Sequence, residues 1–115
     1  MVKRKGSPAK SRKLPGPFKA FIAKYPDLGK AHEAIARAID RLGPLDRKAC
    51  ELIKVGICVG AGLESALRSH VRRAMEAEVP RQAIEQAILL VMNTVGFPRT
   101  VAAWTWAHVQ FNRGR

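Results

Sequence analysis

DRKACELIKVGICVGAGLESALRSH, residues 46–70, reads as two helical runs on either side of a glycine break. Asp46 carries a short acceptor side chain suited to capping a helix start. Leu52, Val55, Ile57, Cys58 and Val59 then give the first run a largely apolar surface. Gly60 and Gly62 interrupt it, because glycine weakens a helix interior and readily takes the conformations that end one. The second run places Leu63, Ala66, Leu67, His70, Val71, Ala74 and Met75 on one broad stripe, with Arg68, Arg72 and Arg73 facing outward. Glu51 lies on the first run and His70 on the second, nineteen residues later.

The helical pattern continues in both directions. Phe18, Phe21 and Ile22 fall at i, i+3 and i+4, which predicts a short helix ending before Pro26. Leu28, Ala31, Ile35, Ala38, Ile39 and Leu42 mark one face of the next helix, and Gly43-Pro44 closes it. On the C-terminal side, Pro80 suits the first turn of a helix whose stripe is Ile84, Ala87, Ile88, Val91, Met92 and Val95. Leu89 and Leu90 widen that stripe beyond one core-facing side, which in so short a chain reads as a subunit interface. Gly96-Phe97-Pro98 interrupts the run, and a last helix over residues 101–111 carries Trp104, Trp106 and His108. No strand alternation or hairpin signal appears. The predicted fold class is all-α: a basic tail over residues 1–17 and a single-domain helical bundle over residues 18–115.

Charge separates these two parts. The net formal charge is +12, and Lys3, Arg4, Lys5, Lys10, Arg12, Lys13, Lys19 and Lys24 all precede the first acidic residue, Asp27. A Lys-, Ser-, Pro- and Gly-rich tail buries too little to offset its ordering entropy and reads as mobile. Such a tail binds nucleic acid or anionic surfaces through phosphates, yet no aromatic side chains interleave with these charges to stack on bases. No apolar run approaches a membrane span, and no signal-peptide core follows the basic start. Two cysteines in such a chain read as reduced thiols, and the cytoplasm is the expected location.

The spacing from Glu51 to His70 resembles the core of the carboxymuconolactone decarboxylase family, which includes the alkylhydroperoxidase D branch. In that branch the pattern is Glu, eleven residues, Cys-x-x-Cys, three residues, His. Leu63 and Ala66 stand here where the two thiols would be. Tyr25-Pro26-Asp27-Leu28, Gly43-Pro44-Leu45-Asp46 and Gly96-Phe97-Pro98 also look like the small members, so the resemblance runs from about Phe18 to the C-terminus. It implies an alkylhydroperoxidase D-like helical fold, an obligate homo-oligomer (trimer or hexamer), and a pocket near subunit contacts.

The residues themselves narrow the chemistry. A carboxylate bonded to an imidazole fixes its tautomer and makes a tunable proton donor and acceptor, so Glu51 and His70 are the candidate catalytic pair; the alternative is a purely structural pair. Cys50 and Cys58 are about 12 Å apart along a regular helix, whereas disulfide Cα atoms lie within about 7 Å, so the two-thiol peroxidase route fails. Cys58 projects from nearly the same face as Glu51, leaving a one-thiol hydroperoxide reductase as an alternative beside its role as a small core residue. Leu63, Ala66, Cys58 and Trp104 are the candidate pocket wall. Trp104 and Trp106, two residues apart, cannot share one helix face, so one of them packs in the core or an interface. Lys54, Arg47, Arg68, Arg72 and Arg73 offer cations for an acidic substrate, although arginines on such helices are usually solvated. His32 and His108 lack local metal-ligand spacing, and no phosphate loop or nucleophile elbow is present. Together with what the resemblance implies, the expected function is cofactor-independent, metal-free acid–base chemistry, of lyase or isomerase type, on a small carboxylated or lactone substrate. A helical oligomer presenting basic tails to nucleic acid is the non-enzymatic alternative.

Overall fold

A computed structural model describes residues 16–114; the regular elements among them are all helices, with no strand. They divide between two compact units, with the boundary between Arg41 and Leu42. The tail's expected mobility and its nucleic-acid contacts lie outside the described residues, except that Gly16 and Pro17 already belong to the first helix.

The first unit pairs α1 (Gly16–Lys24) with α2 (Pro26–Asp40). Pro26 supplies a fixed φ at the start of α2, where no intrahelical N–H bond is lost. The two helices meet where Gly29 is buried; a Cβ there would stand 3.1 Å from the Ile22 side chain. Close approach therefore depends on the missing side chain. Phe18 adds an edge-on contact with His32, its ring centroid 6.1 Å away.

In the second unit, α3 (Arg47–Ala61) and α4 (Glu64–Glu76) form a hairpin, followed by α5 (Arg81–Leu89), α6 (Met92–Val95) and α7 (Phe97–Arg113). Asp46 caps α3 by accepting the Ala49 N–H at 2.8 Å. Gly62 ends α3 in the left-handed region at φ 71°, and the Leu63 N–H returns to the Cys58 carbonyl at 2.9 Å. This is a Schellman closure. α4 packs against α3 and α7, while α5 packs against α3 and α7. The core lies between them: Val55, Val59, Leu67, Val71, Ile84 and Ile88 are fully buried, joined by Ala103, Ala107 and Phe111.

Four local expectations are corrected. Gly60 stays inside α3, and Gly62 alone provides the stop. The helix expected to run through Val95 breaks after Leu89, where Val91 bonds three residues back to Ile88 at 3.2 Å. Val91, Asn93, Thr94 and Val95 are poor helix formers, so little local preference holds that run together. α7 starts at Phe97 because Pro98 is tolerated in a first turn. Arg72, expected outward, is buried because α4 is covered on two sides, and its Nε lies 3.7 Å from Glu76.

Candidate acid–base site on the α3–α4 hairpin

The α3–α4 hairpin brings Glu51 and His70 into contact: Oε1 and Nδ1 are 2.8 Å apart. Glu51 sits one turn into α3 and is buried, and its side chain is 9% exposed against 18% for His70. Burial is the largest influence on Glu51 and would raise its pKa. The His70 hydrogen bond and the charges of His70, Lys54 and Arg73 outweigh it, holding the carboxyl below its ordinary range. Glu51 is therefore an acceptor, and His70 Nδ1 carries the donated proton. Among the described residues nothing hydrogen-bonds His70 Nε2. One end of the ring is fixed and the other is unengaged.

Cys58 lies two turns along α3 from Glu51 and is 4% exposed. Burial raises its pKa above the ordinary thiol value, and the Glu51 charge pushes it further the same way. Both effects suppress the thiolate that redox chemistry requires. Cys50 and Cys58 are free thiols, and the Cys50 sulfur lies 3.8 Å from the Leu45 carbonyl. Leu63 is about half exposed at the N-terminus of α4, while Ala66 is half-buried and packs against the core.

Trp104 occupies a different cluster. Its ring stacks on His108 with centroids 3.8 Å apart, and its carbonyl accepts from His108 Nδ1 at 2.9 Å. His108 Nε2 faces Glu85 Oε2 at 3.1 Å, which ties α7 to α5. Both nitrogens of His108 are thus taken, unlike those of His70. Trp106 instead packs against the core. The sequence reading missed the Glu85–His108 pair, whose members are 23 residues apart on different helices with no local spacing to reveal them. Among the described residues no three His, Cys, Asp or Glu side chains cluster as a metal site would require. No helix there is long and apolar enough to cross a membrane.

Residues 26–108 match the Carboxymuconolactone decarboxylase family. The chain belongs to that family. The crystal structure of an apo carboxymuconolactone decarboxylase family protein from Legionella pneumophila is similar, with a TM-score of 0.75 and 18% identity. The likeness covers 86% of this chain and 88% of that one, and at this identity it speaks to the fold alone. No curated protein matches the sequence.

Proposed function

We propose that this family member performs cofactor-independent acid–base chemistry, of lyase or isomerase type, on a small carboxylated or lactone substrate. The observation that carries the reading is the asymmetry of His70, bonded to Glu51 through Nδ1 with Nε2 unengaged. Neutral His70 takes a proton from carbon beside a carbonyl through Nε2, and Glu51 stabilises the imidazolium that forms. Returning that proton to a different carbon isomerises the substrate. In the lyase version, the bond to the carboxylate carbon breaks and its electron pair flows into the conjugated carbonyl. CO2 leaves, the Nε2–H of His70, which enters this version as imidazolium, protonates the carbon, and a proton from solvent restores the imidazolium. Neither version transfers electrons to the protein, which fits a site with Leu63 and Ala66 in place of a thiol pair. The reading includes homo-oligomeric assembly, supported by exposed apolar side chains such as Leu90 and Phe97. It also includes a cytoplasmic location, in keeping with two free cysteines.

The test is turnover of a carboxylated lactone by wild type and His70→Ala. Loss of general acid–base catalysis is expected to lower the rate about 10²–10⁴-fold. The mass of the assembly should be unchanged by light scattering. Wild-type turnover in His70→Ala would refute the assignment.

A further inference from the structure

The cations of the α3–α4 hairpin are not equivalent. Arg68 pairs with Glu64 at 3.0 Å, and Arg72 and Arg47 approach Glu76 at 3.7 and 4.0 Å. Those three arginines are served by two carboxylates, Glu64 and Glu76. Arg73 is half-buried, and among the described residues no carboxylate lies within ion-pair distance of it.

Its place in the hairpin is next to the acid–base pair. Glu51 lies eleven residues before Gly62 and Arg73 eleven after it; Lys54 and His70 lie eight residues on either side. In antiparallel helices this register sets Glu51 level with Arg73, and Lys54 level with His70. The two levels are about 4.5 Å apart along the axis, three residues of each helix. Arg73 and Lys54 both act on the ionisation of Glu51, as expected for charges within electrostatic reach of it. Glu51 is already committed to His70 at 2.8 Å. Arg73, with no carboxylate of its own among the described residues, adds a positive charge beside the Glu51–His70 pair. A ligand carboxylate approaching Glu51 alone would be repelled; the Arg73 guanidinium offsets that repulsion.

We propose that Arg73 anchors a ligand carboxylate, so that the Glu51–His70 site selects anionic over neutral substrates. The planar guanidinium offers two parallel N–H donors that match a carboxylate. The turnover of that ligand rests on the acid–base reading; its binding does not. The ligand's negative charge is conserved until His70 delivers a proton. The same guanidinium therefore faces the carboxylate of the substrate and the enolate left after loss of CO2.

The experiment measures binding of 5-oxotetrahydrofuran-2-carboxylate and of its methyl ester to the full-length protein by calorimetry. The acid should bind about tenfold or more tightly than the ester, the difference expected for one charge-assisted pair. Arg73→Gln should abolish that preference, and Arg73→Lys should retain part of it. Arg68→Gln removes the same charge from the same helix and should leave the preference intact, which separates an anchor from the general field. Binding is read without turnover, so a preference for the acid in a protein that turns over neither ligand leaves the anchor standing while the acid–base reading fails. Circular dichroism establishes that each variant is folded. Equal binding of acid and ester to wild type would overturn the proposal. So would an unchanged preference in Arg73→Gln, or no binding of the acid below about 10 mM.

Discussion

At the residue scale, the ionisation of Glu51 and Cys58 gives the site a definite pH signature. Glu51 titrates below its ordinary value when folded. Its ionised form therefore stabilises the fold fully above the unfolded pKa, and that contribution is lost as pH falls through the lower folded value. Glu51→Gln is expected to be less stable at neutral pH by about 1.5–3 kcal/mol, the loss of a charge-assisted hydrogen bond. It should also lose less stability on acidification. Urea unfolding followed from about pH 7 to pH 3 checks both parts, and parallel wild-type and variant curves would count against the pairing. Cys58 has the opposite sign. Its folded pKa is raised, so its contribution is complete below the ordinary thiol value and is lost as pH rises through the folded one. At neutral pH Cys58 should stay unoxidised after one equivalent of hydroperoxide, as read by mass spectrometry of labelled peptides. Rapid oxidation of Cys58, with peroxide turnover lost in Cys58→Ser, would restore the one-thiol alternative.

At the element scale, two helix ends make a matched comparison. α3 and α4 both close with a residue in the left-handed region: Gly62 at φ 71° and Glu78 at φ 65°. At α4 the Val79 N–H reaches the Ala74 carbonyl at 2.9 Å, the same closure that Leu63 makes on Cys58. Only Gly62 is free of a Cβ, and one added there would lie 3.1 Å from the Arg99 guanidinium, which caps the Gly60 carbonyl at 2.7 Å. Gly62→Ala is expected to destabilise by about 1–2 kcal/mol, and Glu78→Gly to stabilise by up to about 1 kcal/mol. Thermal unfolding of both variants tests this, and shifts of the same sign would contradict the conformational argument. These ends also show what a sequence can reveal. Asp46, Gly62 and Pro26 act through neighbours a few residues away, so their helix boundaries were readable. The break after Leu89 and the burial of Arg72 depend on which helices cover α5 and α4, and no local pattern encodes that. Glu51 and His70 were legible as a spacing that resembles a family. The isolation of Arg73 was not, because it follows from which arginines the glutamates of α4 engage.

For the whole molecule, assembly turns on apolar surface. α2 turns Leu28, Ile35 and Ile39 outward, each more than half exposed, along one face of an otherwise polar helix. In the second unit Leu90 and Phe97 are 67% and 64% exposed, with Leu89 and Val101 beside them in sequence. Small chains bury a low fraction of their surface alone, so faces of this kind gain most from a second copy. The net charge of +12 works against close approach of like subunits, and eight of the cations lie in the first 26 residues. Association should therefore be driven by the apolar faces and strengthened, rather than weakened, by salt that screens the repulsion. Light scattering at about 10 μM is expected to give three or six times the subunit mass, with the larger species favoured as salt rises. Leu90→Glu places a charge at the centre of the expected contact and should shift the protein toward monomer while its helical circular dichroism stays unchanged. Removal of residues 1–15 should leave assembly in place, because the expected contact lies on the helices. A wild-type monomer across this salt range would refute assembly. A stable oligomer insensitive to Leu90→Glu would move the contact to another face, with that of α2 the next to be charged.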